Sequence, residues 1–340
     1  MYPTHCWYVA ATGAEVTDVP LGRRALGQGL ALYRTPAGRV VALEDRDAHA
    51  PYPLSLGHLD GELIVSAYSG FAYDPDGRCV RVPTQPEVPY GAGVRAFPVV
   101  EQDGLVWVWF AGAGLAGLRH PPRTPWLADD AWSTFGDEWT TGAGALLLHE
   151  NFADITHVAV VDPLIAPPAL SAGPVPGLDV EVSETSVAFT RDYPPARLAA
   201  WHAPLIDAKE DELFRQREQG RFVSPALWVD SWDVTSDRRP EPYTFRFTHA
   251  VTPVGATTTR HIWRVSRNFA AGDEVSAQLT PLFREYYRRV RDILETMQRV
   301  LDEDGPRPEV RVAADAAAIQ VRKIVGRMVA DETTVLQERR

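Results

Sequence analysis

The chain has 340 residues, a formal net charge of −11 and a pI near 5.3. That length allows two domains, since a single hydrophobic core stops growing at about 250 to 300 residues. The acidic balance disfavours a nucleic-acid partner, because phosphate binding depends on clustered Lys and Arg. No apolar run approaches the roughly 20 residues that a membrane helix needs, so no membrane partner is expected.

The N-terminal residues and the cysteines bear on location and on metal binding. The opening segment MYPTHCWYVAATG lacks the basic region, apolar core and cleavage site of a secretory signal, which predicts a cytoplasmic location. Only Cys6 and Cys79 occur, so a disulfide framework and a site made of four thiolates are both excluded.

The first hundred residues alternate short β-rich runs with turn signals. TPAGR follows the run at 31–34, and DPDGR precedes Cys79. The segment GLVWVWFA at 104–111 is nearly continuous in β-branched and aromatic residues, which favours a buried strand. This part of the chain is therefore predicted to be a small antiparallel β domain.

The rest of the chain mixes helical and strand patterns. A helix is predicted at 146–161, and period-two alternation predicts strands at 242–253 and 257–269. Apolar residues recur at helical spacing over 273–301, which predicts a long helix packed on the sheet. An α+β domain follows from these elements.

Several phrases occur in an order that resembles the vanillate O-demethylase-like oxygenases of the Rieske non-heme iron family. WYVAA, ALEDR, PLSLG, DPDGRCVRVP and GLVWVWF resemble the Rieske domain, and ENFADITHVAVVD and RDILETMQ continue the match over nearly the whole chain. The resemblance implies a Rieske-like β domain at 1–112 and a helix-grip-like α+β catalytic domain at 113–340. The resemblance further implies an antiparallel sheet and a long C-terminal helix in the catalytic domain. It also implies assembly as a homotrimer.

In that family Cys-x-His and Cys-x-x-His hold a [2Fe-2S] cluster. The corresponding positions here are Asp47 and His49, then Ser66 and Ser69. Both thiolates and one imidazole are replaced, and Asp and Ser do not supply the soft sulfur that the cluster needs. We therefore expect no [2Fe-2S] cluster. Another metal at these positions is disfavoured as well, since a hard cation prefers more carboxylates.

The family's mononuclear iron site uses Asn-x-x-Asp-x-x-His-x-x-x-x-His and a later carboxylate. The matching residues here are Asn151, Asp154, His157 and, where the second histidine should be, Asp162, while the late carboxylate falls on Asp292. The resemblance makes His157, Asp154, Asp162 and Asp292 the catalytic candidates. Asp154 and His157 at i, i+3 would share one helical face.

Three interpretations of this cluster remain open. His157, Asp162 and Asp292 could bind one divalent metal, or act without metal as an acid/base set in an apolar pocket, or persist as relics paired with arginines. The metal-free interpretation is favoured, so no cofactor is expected. Substrate-binding candidates are Asn151 and the strand residues His249, His261 and Trp263, although a lone strand histidine is more often structural.

The functional hypothesis follows from the missing cluster ligands. Without a cluster to deliver electrons, the leading expectation is a non-redox enzyme, a cyclase or an eliminating lyase, that acts on a small apolar natural-product intermediate. The alternatives are a non-catalytic subunit of a Rieske oxygenase assembly, and a mononuclear metal-dependent oxygenase that lacks a Rieske cluster.

Overall fold

The computed structural model describes residues 2–338, which form two compact units. One unit contains residues 2–123 together with 252–255, and the other contains residues 124–251 and 256–338. Both units contain antiparallel sheet, and the second adds a long helix, so the α+β class is confirmed. The boundary expected between residues 112 and 113 stays a prediction.

The N-terminal unit is built from short antiparallel strands. They are β1 (Trp7–Thr12), β2 (Leu21–Ala25), β3 (Gln28–Arg34), β4 (Val40–Glu44), β5 (His58–Asp60), β6 (Leu63–Val65), β7 (Ala72–Tyr73), β8 (Cys79–Arg81), β9 (Val99–Gln102) and β10 (Leu105–Trp109), followed by helix α1 (Ala113–Ala116). The strand orders are β1-β10-β9, β2-β3-β4 and β5-β6-β7-β8. The small β domain expected from the sequence is confirmed.

Strand β10 is the most completely buried strand of this unit. All five of its residues are buried, and the indole of Trp109 lies 5.5 Å, centroid to centroid, from that of Trp7 on β1. Strands buried on both faces need apolar side chains on both, which explains why the run LVWVW does not alternate. The prediction of a buried strand here is confirmed.

The DPDGR segment forms a tight turn between β7 and β8. The carboxylate of Asp74 accepts hydrogen bonds from the backbone N–H groups of Asp76 and Arg78. Gly77 has a φ of +82°, and a Cβ there would lie 2.2 Å from the carbonyl oxygen of Val94. Only glycine satisfies both conditions.

The C-terminal unit is a single curved sheet with helices. Its elements are β11 (Ser133–Thr141), α2 (Ala145–Phe152), α3 (Val158–Val161), β12 (Asp179–Val182), β13 (Val187–Ala196), β14 (Phe214–Ser224), β15 (Leu227–Thr235), β16 (Tyr243–Pro253), β17 (Thr259–Arg267), α4 (Asp273–Asp304) and α5 (Ala316–Glu338). The seven-stranded antiparallel sheet has the order β11-β17-β16-β15-β14-β13-β12. Short 3-10 turns in the two units span Gly13–Glu15, Leu54–Leu56, Pro125–Leu127, Pro168–Leu170, Ala203–Ile206 and Ala313–Asp315.

The prediction of one continuous helix at 146–161 is wrong, because a non-helical segment separates α2 from α3. The carboxylate of Asp154 accepts hydrogen bonds from the backbone N–H and the hydroxyl of Thr156, at 2.9 and 3.0 Å. Such local side-chain bonds compete with the helical ladder and favour a turn. Asp154 and His157 consequently lie in a turn rather than on one helical face.

The long helix expected at 273–301 is confirmed as α4. Its buried side recurs every three or four residues, and Phe283 packs edge-on against Phe135 of β11 with 5.5 Å between ring centroids. Met297, an apolar residue within the predicted span, is 48% exposed. The buried residues of α4 are Leu279, Phe283, Tyr287, Val290, Leu294 and Gln298.

Within residues 2–338, none of the helices is both long enough and apolar enough to span a bilayer.

Candidate active site

A cavity lies between the inner face of the seven-stranded sheet and helix α4. The space among its lining residues, including solvent at the open mouth, is about 870 Å³. Most of the wall is aromatic or aliphatic. The apolar lining residues are Phe152, Ile155, Val158, Ile165, Pro167, Ala199, Trp201, Trp232, Phe245, Phe247, Phe283, Tyr286 and Tyr287.

The aromatic side chains of the wall pack mainly on one another. The indole of Trp201 lies 5.5 Å from the ring of Phe245 and 5.3 Å from that of Phe283, measured between centroids. Phe247 is 6.0 Å from Phe283. A wall of mutually packed rings is rigid and suits a flat apolar ligand.

Polar groups enter the cavity from strands β14, β15 and β16, and from α2 and the loop before β14. Glu218, Asp230 and His249 stand on neighbouring strands of the sheet, and Asn151 comes from the end of α2. The remaining polar lining residues are His202, Gln216 and Ser231.

His157 lies beside the cavity, behind Asn151. Its Nδ1–H donates to the backbone carbonyl of Asp154 at 2.6 Å, so its Nε2 accepts the amide N–H of Asn151 at 3.1 Å. Burial lowers the pKa of His157, although the carbonyl and carboxylate of Asp154 oppose that shift. A neutral His157 therefore holds the Asn151 amide, and the Asp154 backbone rather than its carboxylate orients the imidazole.

The other two catalytic candidates pair with arginines of α4. Asp162 is buried, accepts the backbone N–H of Leu164, and pairs with Arg289 at 3.4 Å. The carboxylate of Asp292 is 48% exposed and bonds to Arg288 at 2.7 Å on the solvent side of α4. The placement of Asp292 in the site is therefore corrected, since a residue beside the helix arginines faces water rather than the apolar stripe.

The three strand candidates, His249, His261 and Trp263, are buried side chains at the cavity wall and behind it. His249 lines the cavity, and its Nδ1 lies 3.0 Å from Nε2 of His261. Burial lowers the pKa of His249 to about 3 and lowers that of His261 as well. His261 and Trp263 stand behind the wall, where Trp263 packs 4.7 Å from the ring of Tyr287, so neither reaches the cavity.

One buried and one half-buried carboxyl group were missed by the sequence reasoning. Glu218 and Asp230 both line the cavity. Strand β14 alternates strictly, with Phe214, Gln216, Glu218 and Phe222 buried and their neighbours mostly exposed. This period of two places Glu218 on the buried face of β14. The same alternation in the sequence predicts that placement.

In the N-terminal unit the four positions matched to cluster ligands form a hydrogen-bond network. The buried carboxylate of Asp47 accepts the hydroxyl groups of Ser66 at 2.6 Å, Ser69 at 2.5 Å and Tyr73 at 2.7 Å. It also accepts the backbone N–H of His49, and the His49 imidazole packs 5.2 Å from the ring of Phe71.

Two family descriptions match the sequence. Residues 6–98 match the Rieske [2Fe-2S] domain, and residues 141–331 match the Vanillate O-demethylase oxygenase C-terminal domain. The fold and the two matches define an oxygenase-type protein with a Rieske-like unit and a catalytic unit. The chain belongs to the Rieske non-heme iron oxygenase family.

Individual relatives agree with this assignment. The chain is 30% identical to the putative toluene-4-sulfonate monooxygenase system iron-sulfur subunit of Comamonas testosteroni, with 98% of each chain covered. It is 28% identical to the oxygenase component of dicamba O-demethylase from Stenotrophomonas maltophilia, over 95% of this chain and 97% of that one. The crystal structure of dicamba monooxygenase bound to dicamba superposes with a TM-score of 0.89 and 26% identity, covering 97% and 98% of the chains.

The comparisons correct the functional hypothesis drawn from the sequence. The relatives are oxygenase components, which supports an enzyme but contradicts a cyclase or lyase, and nothing in them supports a non-catalytic subunit. The expectation of no cofactor is contradicted as well, since the matches indicate a [2Fe-2S] cluster and a mononuclear iron for the family.

The residues of this chain do not fit those two groups. Of the four cluster positions only His49 carries a ligand of the family type, while Asp47 is engaged by the two serines. Within the described chain no set of three or more His, Cys, Asp or Glu side chains is arranged to hold a metal ion.

Proposed function

We propose that the protein is an enzyme of the oxygenase class whose substrate is a small, largely apolar molecule bound in the cavity between the sheet and α4. The aromatic-lined cavity carries the proposal, together with relatives that match nearly the full chain and are named as oxygenase components. A related structure holds a small aromatic ligand, dicamba.

The residues around the cavity suggest how such a molecule would be held. Trp201, Phe245 and Phe283 would form one aromatic wall against which an apolar ring packs, and Asn151 would offer its amide at the edge. His157 would act as a positioning residue for Asn151, since its Nε2 accepts an amide hydrogen at 3.1 Å. Asp162 would serve to anchor Arg289 of α4.

The assembly and the location belong to the same proposal. The names "oxygenase component" and "iron-sulfur subunit" of the relatives support a multicomponent system, in which a separate protein supplies electrons. A homotrimer in the cytoplasm is proposed for this chain. Light scattering coupled to size exclusion would test the trimer, and a monomer at working concentration would reject it.

Oxygen-isotope labelling tests the proposed reaction class. The purified protein is supplied with iron, a reductase and reductant, then incubated with a panel of small aromatic compounds under ¹⁸O₂. Iron and acid-labile sulfide are measured in the same samples. We expect ¹⁸O, or an oxidative dealkylation product, to appear with a compound that also binds the cavity.

Two variants connect that activity to the cavity. Trp201→Ala removes part of the cavity wall, and His157→Gln alters the hydrogen bond to the Asn151 amide. Each variant should lower turnover at least tenfold. Glu303→Gln, an exposed exchange near the end of α4, serves as the matched control. Tight binding without any oxygen-dependent product would reject the oxygenase class.

A further inference from the structure

We propose that the cavity selects a neutral or amine-bearing substrate, which donates an O–H or N–H hydrogen bond to Glu218, and that it rejects anionic aromatic acids. This inference rests on the proposed function in using the same cavity. It concerns the charge of the substrate rather than the reaction, so the two are tested separately.

Glu218 presents an acceptor that lacks a partner. On β14, its side chain is 3% exposed, and its Oε2 accepts the hydroxyl of Tyr193 at 2.6 Å and the guanidinium of Arg191 at 3.0 Å. Its Oε1 is buried with no hydrogen-bond partner among the described residues, although Glu218 lines the cavity. Buried carboxylate oxygens are nearly always paired, so a ligand donor at this point restores a missing bond.

The arginine beside Glu218 is buried and lies outside the cavity lining. The Arg191 side chain is 2% exposed, and its Nη1 bonds to Glu218 and, at 3.2 Å, to the Tyr193 oxygen. Arg191 stands behind Glu218 and is not part of the cavity lining, which includes neither Lys nor Arg among the described residues. Both members of the pair are buried, but only the acidic one belongs to the cavity lining.

A second carboxyl group stands on the same face of the sheet. Glu218 lies opposite Trp232, and Asp230 lies opposite Gly220, so the two acids are diagonal neighbours on adjacent strands. Asp230 Oδ1 accepts the indole N–H of Trp228 at 2.5 Å, and its Oδ2 is 3.6 Å from His249 Nε2. Two acidic groups therefore face the same space.

Charge balance at neutral pH reinforces this selection. Burial raises the pKa of Asp230 well above its usual range and raises that of Glu218 to about 7, against the opposing pull of Arg191. Burial also lowers the pKa values of His202 and His249 to about 3, so both imidazoles are neutral. A ligand carboxylate or sulfonate would meet a partly ionised carboxylate in a medium of low dielectric, and the cation beside that carboxylate, Arg191, is already bound to it.

This charge preference differs from what the names of the relatives suggest. Toluene-4-sulfonate and vanillate are anions, and proteins named for them share the fold of this chain. A polar site that matches a hydroxyl or an amine discriminates strongly against a ligand that leaves its buried groups unpaired. The acceptor on Glu218 therefore assigns this protein neutral or amine-bearing substrates rather than anionic aromatic acids.

The test uses three ligands that differ only in one substituent: 4-methylbenzyl alcohol, 4-methylbenzylamine and 4-methylbenzoate. Binding to the full chain at pH 8 is followed by calorimetry and by quenching of tryptophan fluorescence, since Trp201 and Trp232 stand in the wall. We expect the alcohol and the amine to bind at least tenfold more tightly than the benzoate.

Variants then assign the preference to Glu218. Glu218→Gln keeps the shape but removes the charge, and should reduce the amine-over-benzoate preference at least tenfold. Glu303→Gln, at the exposed end of α4, should leave all three affinities unchanged. In the native protein the amine-over-benzoate preference should also fall when the pH is lowered from 8 to 6, because Glu218 becomes protonated, which keeps the test decisive if the variant does not fold.

The outcomes separate the inference from the proposed function. Benzoate binding as tight as that of the amine, or a preference that changes neither in Glu218→Gln nor with pH, would overturn the charge selection and leave the oxygenase class standing. Failure of the ¹⁸O₂ experiment with the charge preference intact would reject the oxygenase class alone. If none of the three ligands binds, both the cavity assignment and its charge selection are rejected.

Discussion

Asp47 organises two loops of the N-terminal unit through one buried carboxylate. Three hydroxyl groups and one backbone N–H converge on it, from Ser66, Ser69, Tyr73 and His49. Burial by itself raises the pKa of Asp47, but the hydrogen bonds outweigh it and hold the pKa below its usual range. This carboxylate therefore stabilises the unit when the pH is above the pKa of an unfolded-state aspartate. The stabilisation is lost as the pH falls through the lowered pKa of folded Asp47.

Removing this carboxylate should destabilise the N-terminal unit. Asp47→Ala leaves three hydroxyl groups without their shared acceptor and should lower the free energy of unfolding by about 3 kcal/mol. Urea unfolding at pH 7 measures the change. Asp60→Asn, which breaks an exposed ion pair with Arg81, is the matched control and should change little. Equal losses in the two variants would contradict the role given to Asp47.

Glu218 should make ligand binding depend on pH around neutrality. Burial raises its pKa to about 7, Arg191 and the Tyr193 hydroxyl oppose that shift, and the charges of Asp230 and Asp154 add to it. Ionised Glu218 is the stronger acceptor, so affinity for 4-methylbenzylamine should rise about tenfold between pH 6 and pH 8. Calorimetry across that range checks it, and the rise should vanish in Glu218→Gln. A flat profile in the native protein would contradict the assignment.

At the scale of elements, the close approach of β11 to β17 depends on a glycine. A Cβ at Gly136 would lie 2.1 Å from the carbonyl oxygen of Trp263, the residue before its partner Arg264. Backbone cannot move aside as a flexible side chain can, so strand separation would have to increase.

Gly136→Ala should therefore lower the free energy of unfolding of the C-terminal unit by about 2 kcal/mol. Thermal unfolding followed by circular dichroism would show a lower midpoint. Gly112→Ala is the control, since nothing lies within 4 Å of its added Cβ and its φ of −58° suits alanine. An unchanged midpoint for Gly136→Ala would mean that the sheet adjusts without cost.

The elements also show where local pattern and tertiary structure disagree. Apolar spacing predicted one helix at 146–161, yet the Asp154 side chain bonds to Thr156 and breaks it into α2 and α3. Aspartate is a known competitor of the helical ladder, so this break was legible in the sequence. Periodicity over α4 was long enough to place that helix correctly.

At the scale of the whole molecule, buried histidines set the response to acid. Burial lowers the pKa of His149 to about 4 and those of His202 and His249 to about 3, while unfolding returns each to its usual value of 6.5. The unfolded chain then binds more protons, so stability that is present above pH 6.5 is lost as the pH falls toward 4. Each histidine contributes at most about 1.4 kcal/mol per pH unit in that window.

Unfolding free energies measured in urea at pH 7.5, 6.5, 5.5 and 4.5 should show this acid loss. His202→Phe should reduce the slope, because His202 stacks between Trp201 and Phe269 and phenylalanine keeps that packing without a titratable group. His58→Gln, an exposed exchange on β5, should leave the slope unchanged. Equal slopes for all three proteins would contradict the assignment of acid sensitivity to buried histidine.

The sequence by itself determined those features that depend on neighbours along the chain. The period of two in β14, the helical period of α4, the turn at Gly77 and the order of family phrases are all legible in the order of the amino acids. Each reflects a local constraint, since side-chain direction and backbone φ repeat with the element that contains them.

Only the tertiary structure decided which distant groups share the cavity. Asp292, assigned to the site by resemblance, is exposed to solvent beside Arg288. Glu218 and Asp230 are neighbours because of the register of β14 with β15. Moving that register by one residue would send an entire strand of side chains to the opposite face. Burial then raises the pKa of both acids, and burial is a property of the packed core rather than of any segment within it.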